Sequence, residues 1–185
     1  VSAGVLALAG TPDQQARWLP GIASGQSILT PAWLEPDNSS GPSGIRLSAV
    51  ADGEDVILTG TKRHVAFASA ADRLVVLALG EAGIDLYLLD PQADGVTLTL
   101  QRTVAGDTQY RVDMDGVRVP GTDRIGAPGT GWATWHAVML DALVLVAARA
   151  VGAAEATHAL TADYSRERHQ FGKPLGAFQS LSHYM

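Results

Sequence analysis

The sequence contains no cysteine, which excludes disulfides, zinc–thiolate sites and thiol nucleophiles from its 185 residues. Positive charge is also scarce, because 13 lysines and arginines face 19 aspartates and glutamates and leave a formal net charge of −6 at pH 7. This balance argues against nonspecific nucleic-acid binding, which depends on neutralising phosphates with basic side chains. His136, His158 and His183 lack the spacing of a ligand cluster, so no metal site is predicted.

Targeting and membrane signals are missing as well. No basic-then-apolar secretion signal opens the chain, and the longest apolar stretch, residues 138–148, is interrupted by Asp141 and followed by Arg149. We expect this stretch to be too short and too polar to span a bilayer. The sequence therefore predicts a soluble, cytoplasmic protein with no membrane partner. It starts at Val1 without a methionine and stops without a helix-ending signal, so we expect an internal fragment of a longer chain.

The first 28 residues have a helical pattern. Thr11 is a predicted N-cap, with Pro12 in the first turn and Gln14 three residues on, which is the arrangement of a capping box. We expect this helix to end near residues 20–21, a Pro-Gly step.

Residues 29–128 are rich in short β-type runs separated by turn-forming residues. The runs are residues 45–50, 56–59, 73–79, 84–89, 96–100 and 110–114. Two Asp-Gly steps, at 52–53 and 115–116, predict tight hairpins. The alternation of apolar and polar residues favours an antiparallel sheet or barrel with one buried face.

Residues 129–185 are predicted to begin with one long helix, from 131 to 168, that is apolar enough in its first half to be buried in a bundle. Gly172 and Pro174 should stop it, and another helix should start at Ala177. The chain is thus predicted to be α+β, with an antiparallel β-barrel middle domain (29–128) flanked by the end of a helical domain (1–28) and the start of a helical bundle domain (129–185).

Three segments, in order, carry a family resemblance. They are residues 10–20 (GTPDQQARWLP), residues 33–41 (WLEPDNSSG) followed by Gly60-Thr61-Lys62, and residues 168–174 (RHQFGKP). Together with the β and helical character between them, these segments resemble the acyl-CoA dehydrogenase family.

The resemblance implies FAD as the cofactor. Residues 29–34, including Trp33 and Leu34, would lie along the isoalloxazine ring and bind its edge through backbone amides. Ser40 would lie near the FAD pyrophosphate or the thioester end of the substrate. The segment 63–67, which contains His64 and Ala66, would pass beside the flavin ring.

The third segment implies a shared site. Arg168, Gln170 and Phe171 would reach the pyrophosphate and adenosine of a neighbouring subunit's FAD, with Gln179 close by. The planar guanidinium of Arg168 suits this role because it can pair with two phosphate oxygens at once. The resemblance therefore implies a homodimer or homotetramer acting on an acyl-CoA-type substrate in fatty acid metabolism.

The chain also departs from the family pattern. Leu34 replaces the threonine that usually precedes Glu-Pro, residues 38–41 replace Ala-Gly-Ser-Asp, and Leu143 replaces a common arginine. His64, Val65 and Ala66 stand where many members have Trp-Ile-Thr, whose threonine bonds the flavin. These changes leave the substrate open.

No catalytic residue is assigned. The family's glutamate base usually lies near the end of the C-terminal domain, and Ala142 occupies the alternative position on the long helix. The adjacent Asp141 would point about 100° away. Glu35 is interpreted as a structural hydrogen-bonding group. His64 is interpreted as lining the flavin site or satisfying a local hydrogen bond, with an acid–base role as the alternative.

Three functions stay open at this point. The first is α,β-dehydrogenation of an acyl-CoA thioester by an FAD-dependent oxidoreductase that acts on CH–CH groups. The second is an acyl-CoA oxidase or flavin monooxygenase-type relative that uses oxygen. The third is a catalytically silent, flavin-free structural subunit.

Overall fold

The computed structural model describes residues 1–37, 39–104 and 106–184. The chain forms two compact units, Val1–Met139 and Leu140–Met185. Helices and a large sheet confirm the predicted α+β class. The predicted domain boundaries, at 28/29 and 128/129, stay predictions.

Two helices open the first unit, α1 (Ser2–Ala9) and α2 (Pro12–Ser24). The predicted capping box is present at the start of α2: the Gln14 N–H donates to Thr11 Oγ1 at 3.2 Å, and the Thr11 N–H donates to Gln14 Oε1 at 3.0 Å. The prediction that this helix ends near Pro20 is wrong. The helix continues to Ser24, and Gly25, with a left-handed φ of 75°, terminates it.

The sheet of the first unit has eight strands, of which seven follow the order β6-β7-β3-β2-β4-β5-β8 and β1 pairs with β4. The strands are β1 (Leu29–Ala32), β2 (Ser48–Asp52), β3 (Asp55–Ala66), β4 (Arg73–Gly80), β5 (Gly83–Leu89), β6 (Val96–Gln101), β7 (Gln109–Pro120) and β8 (Arg124–Ile125).

The sheet is not the closed antiparallel barrel that the sequence predicted. Within the described residues its terminal strands, β6 and β8, do not pair with each other, and β8 contributes only two paired residues, both to β5. Two pairings are parallel, β1 with β4 and β2 with β4. The sheet is therefore open and mixed, although most of its pairs are antiparallel.

Of the two predicted Asp-Gly hairpins, only the first is formed. Gly53, with a φ of 65°, joins β2 to β3. Asp115 and Gly116 instead lie inside β7, where both stand opposite Thr59, because Leu58 pairs with Val117 and Gly60 pairs with Met114. The left-handed glycine makes a β-bulge there, and the strand continues past it because its next residues still pair with β3.

The central strands β4 and β5 are buried on both faces of the sheet, not on one as predicted. One cluster of buried side chains includes Leu58, Leu74 and Tyr87. The other lies under α1, α2 and the start of α3 (Gly131–Glu167), and includes Leu6 and Trp135. This double burial explains why β4 and β5 are nearly continuous apolar runs.

The long helix α3 begins in the first unit, and most of it belongs to the second. In the second unit its apolar side chains are exposed, with Val144 at 69% and Leu145 at 71% of their surface, so its predicted burial in a bundle stays a prediction. Contrary to the expectation from residues 138–148 alone, α3 is long and apolar enough to cross a membrane by length and composition. The core helix of a soluble protein meets the same criterion, so this is weak evidence for a membrane segment.

The capping box of α2 gives the first testable prediction. Thr11→Ala should lower the free energy of unfolding by about 1 kcal/mol, because the Gln14 N–H loses its acceptor. Urea unfolding of the variant and the unsubstituted protein would measure this. Thr11→Ser is the matched control and should retain most of the stability. Equal losses in both variants would contradict a capping role for the hydroxyl.

Candidate functional site

The segment that follows β1 lies against the second half of β3. The Arg63 N–H donates to the Leu34 carbonyl at 2.8 Å, and Arg63 Nη1 donates to the Pro36 carbonyl at 3.3 Å. The indole of Trp33 lies 5.5 Å, centroid to centroid, from that of Trp135 at the start of α3. The Trp-Leu-Glu-Pro and Gly-Thr-Lys segments of the sequence are therefore neighbours in the fold.

A buried ion pair joins these two segments. Lys62 Nζ lies 2.7 Å from Glu35 Oε1, and the two side chains are 0% and 8% exposed. The same ammonium donates to the Trp33 carbonyl at 3.3 Å. Glu35 also accepts hydrogen bonds of 3.0 Å from the N–H groups of Arg46 and Leu47. Glu35 is thus a structural hydrogen-bonding group, as the sequence interpretation held.

Sequence reasoning gave Lys62 no role of its own. Its burial could have been predicted from the two-residue period of β3. Val56 and Leu58 point into the core, and Lys62, an even number of residues further along the strand, lies on the same face. Burial lowers the pKa of the Lys62 ammonium to about 8, and the hydrogen bond and charge of Glu35 only partly oppose this shift. At pH 7 the lysine is therefore still mainly protonated and the pair is ionic.

Next to this pair β3 bulges, and one residue on the bulge and one directly after the strand have left-handed conformations. Lys62 pairs with Val112 and Val65 pairs with Tyr110, so the ladder skips a residue between them. His64 and Phe67 have φ values of 55° and 53°. Such conformations cost a non-glycine residue about 1–3 kcal/mol and concentrate at functional sites.

Glutamine side chains hold the exposed His64 in place. The His64 N–H donates to Gln101 Oε1 at 2.9 Å, and the ring Nδ1 lies 2.9 Å from Gln109 Oε1. Gln109 Nε2 in turn donates to Asp107 Oδ2 at 2.7 Å. Ala66, the last residue of β3, is half-buried and pairs with Gln109. The structure thus places His64 and Ala66 on one short segment, beside the segment that contains Trp33 and Leu34.

Ser40 is the predicted site residue of the first unit that the structure does not connect to this group. It is exposed, and none of the hydrogen bonds recorded for the described residues involves its side chain. Asn38, which belongs to the same departure from the family pattern, lies outside the described residues.

The remaining predicted site residues cluster after α3, in the second unit. There β9 (His169–Gln170) and β10 (Lys173–Pro174) form a hairpin with Phe171 and Gly172 at its tip. The φ values of the tip residues, 53° and 79°, are those of a type I′ turn, in which both central residues are left-handed. The hairpin holds Phe171 outward with 92% of its surface exposed.

Backbone contacts fix the rest of this hairpin. The Arg168 N–H donates to the Tyr164 carbonyl, and the Leu175 N–H donates to the Arg168 carbonyl, both at 2.8 Å. Phe178 lies edge-on to Phe171 at 6.3 Å, and Gln179 follows it as the first residue of α4 (Gln179–Ser182). Arg168, Gln170, Phe171 and Gln179 are thus all exposed and belong to one short, folded segment.

Comparisons with known proteins agree with this picture. Residues 129–185 match the family model described as acyl-CoA dehydrogenase, C-terminal domain. Acyl-CoA dehydrogenase FadE27 of Mycobacterium tuberculosis is 32% identical over 98% of this chain and 46% of its own length. Acyl-CoA dehydrogenase FadE12 of the same organism is 30% identical over 99% of this chain and 49% of its own length.

Solved structures show the same relationship. A glutaryl-CoA dehydrogenase from Mycobacterium smegmatis, in complex with FADH2, superimposes with a TM-score of 0.92 at 28% identity, over 99% of this chain and 48% of its own. Butyryl-CoA dehydrogenase from Megasphaera elsdenii gives a TM-score of 0.89 at 28% identity, over 98% and 50%. The chain belongs to the acyl-CoA dehydrogenase family. It spans about half the length of the curated relatives it matches.

The lowered pKa of Lys62 gives a pH-dependent prediction. Between about pH 8 and the ordinary lysine value of 10.5, the unfolded chain binds the proton that the folded chain has released, so stability rises with pH. The contribution is fully present above 10.5 and is lost as the pH falls through about 8. Urea unfolding across this range should show that the free energy of unfolding of the unsubstituted protein increases relative to that of Lys62→Met as the pH rises. The same pH dependence of the free energy of unfolding in both proteins would contradict the lowered pKa of Lys62.

Proposed function

We propose that this chain is the central part of an FAD-dependent acyl-CoA dehydrogenase, which removes hydrogen from the α and β carbons of an acyl-CoA thioester. The observation that carries the proposal is the joining of Trp33-Leu34-Glu35 to the Lys62–Phe67 segment, the two parts of the sequence predicted to flank the flavin. The complex of the Mycobacterium smegmatis glutaryl-CoA dehydrogenase with FADH2 supports FAD as the cofactor.

The chemistry of the predicted contact residues fits FAD. The phosphate end of a dinucleotide requires positive charge and hydrogen-bond donors, which Arg168, Gln170 and Gln179 offer from an exposed segment. Phe171 offers an aromatic surface at the tip of the turn, with 92% of it exposed. The hydrogen bond from the Arg63 N–H to the Leu34 carbonyl and the bulge at His64 join the two segments of the ring end.

In this proposal the residues of the chain bind and orient. The backbone of Trp33 and Leu34 holds the edge of the ring, and the segment with His64 and Ala66 lies beside it. FAD, when bound, supplies the hydride acceptor. The α-proton needs a base, and we assign none in this chain because Ala142 occupies the alternative position on α3.

The assembly is part of the same proposal. Arg168, Gln170, Phe171 and Gln179 contact the FAD of a neighbouring subunit, which makes the protein a homodimer or homotetramer with shared sites. Their exposure on the second unit supports a role toward a partner. We further propose a cytoplasmic role in fatty acid metabolism.

The visible spectrum of the purified full-length protein tests this function. Recorded anaerobically, it should show a flavin that is bleached by one member of a panel of acyl-CoA thioesters. A flavin that no thioester bleaches would contradict the dehydrogenase and favour another substrate or an oxygen-using relative. A protein without flavin, even after FAD is supplied, would exclude the enzyme and favour a silent structural subunit.

The role of Arg168 is tested by a matched pair of substitutions. Arg168→Ala should weaken FAD binding by about tenfold or more, because a charge-assisted contact to phosphate is lost. Arg166→Ala removes a cation two residues away whose partner, Asp163, lies 2.8 Å from it on the surface of α3. That control should bind FAD as the unsubstituted protein does, since exposed ion pairs contribute little. Equal effects in both variants would argue against a specific phosphate contact.

A further inference from the structure

We infer that the Glu35–Lys62 pair is a positioning device for FAD, which sets the backbone of the segment that holds the flavin ring. The inference rests on the proposed function and adds two residues to it. Both side chains are too buried to contact the cofactor directly, at 8% exposure for Glu35 and 0% for Lys62.

The first step is the irregular backbone of the segment. β1 ends at Ala32, and the chain has no regular structure from residue 33 until a turn at residues 36–37. Without a ladder of backbone hydrogen bonds, such a segment depends on other contacts for a single conformation.

The second step is that three consecutive residues of the segment, 33–35, all contact β3, at Lys62 and Arg63. Lys62 Nζ donates to the Trp33 carbonyl at 3.3 Å, the Arg63 N–H donates to the Leu34 carbonyl at 2.8 Å, and Glu35 pairs with Lys62 at 2.7 Å. Two of the three contacts use the ammonium of Lys62. Removing it therefore releases most of the attachment at once.

The third step is the attachment of the carboxylate on its other side. Glu35 accepts from the N–H groups of Arg46 and Leu47, which precede β2. The pair thus fixes the segment between two parts of the chain, β3 and the residues before β2. A shift in either would move the carbonyls of Trp33 and Leu34.

The fourth step is energetic. A buried ion pair loses its hydration on folding, and replacing one by uncharged residues is often neutral for stability. The lowered pKa of Lys62 shows that burial outweighs the attraction of Glu35 in this case. Stability alone therefore explains the presence of the pair poorly. A requirement that the segment with Trp33 and Leu34 adopt a single backbone conformation explains it directly.

The test uses the double variant Glu35→Gln/Lys62→Met in the full-length protein. The glutamine carbonyl still accepts from the N–H groups of Arg46 and Leu47, and no charge is left buried without a partner. We expect the double variant to fold and to bind FAD about tenfold or more weakly, since the charge-assisted attachment of the segment is gone. The absorption spectrum of the flavin that does bind should also shift, because its surroundings have changed.

Asp85→Asn is the matched control. Asp85 is a second buried carboxylate, 4% exposed, which accepts from the Gly129 N–H at 2.7 Å and the Tyr87 hydroxyl at 3.2 Å. It shares no hydrogen-bond partner with Glu35 among the described residues. This variant should lose stability but keep the FAD affinity and flavin spectrum of the unsubstituted protein.

Each outcome supports or overturns the inference. Unchanged FAD affinity and spectrum in the double variant would overturn it, as would a loss of FAD in Asp85→Asn that matches its loss of stability. Single Lys62→Met keeps the inference testable if the double variant does not fold, with the same expected loss of affinity. An unsubstituted protein that binds no FAD would instead contradict the proposed function, so the two failures are distinguishable.

Discussion

A lysine ammonium without access to water must be satisfied by the protein, and this requirement organises the centre of the molecule. Lys62 is satisfied by one carboxylate and one carbonyl, both from the segment that follows β1. The same carboxylate satisfies two N–H groups that precede β2. One desolvated charge therefore ties three parts of the chain together, and none of the three can move without leaving a buried polar group unsatisfied.

Left-handed backbone conformations of non-glycine residues occur in two parts of the described chain. Among the described residues, the non-glycine residues with a positive φ are His64, Phe67 and Phe171. His64 lies on the β3 bulge beside the ion pair, Phe67 directly follows β3, and Phe171 lies at the tip of the hairpin after α3. All three fall within segments that the sequence associates with the flavin. Because strain of this kind needs support from its surroundings, its confinement to these segments is a structural argument for function that adds to the resemblance.

The sequence predicted those features that depend on neighbouring residues. The capping box at Thr11, the hairpin at Gly53 and the positions of most strands are local, and all are present. The bulge at Gly116 was mistaken for a hairpin because the two share a left-handed glycine. Only the pairing of β7 with β3, which involves residues far apart in sequence, distinguishes them.

The long-range features had no local signal for a similar reason. The open sheet follows from which strands pair at its ends, and the burial of Lys62 follows from the packing of segments that are distant in the sequence. The alternation along β3 indicated that Lys62 shares a face with Val56 and Leu58. A buried charge also needs a partner, and the alternation does not identify that partner. Glu35, 27 positions earlier in the chain, could be paired with it only in the folded structure.

The two groups of proposed site residues consequently differ in what holds them. The group around Trp33 and Leu34 is supported by the core of its unit, so substitutions there change stability and binding together and need a stability-matched control to interpret. The group around Arg168 and Phe171 is exposed and held by backbone hydrogen bonds of a short hairpin. Its side chains can be replaced with little effect on the fold. Binding measurements on this second group therefore report more directly on cofactor contacts, whereas those on the first report on how the fold places its backbone.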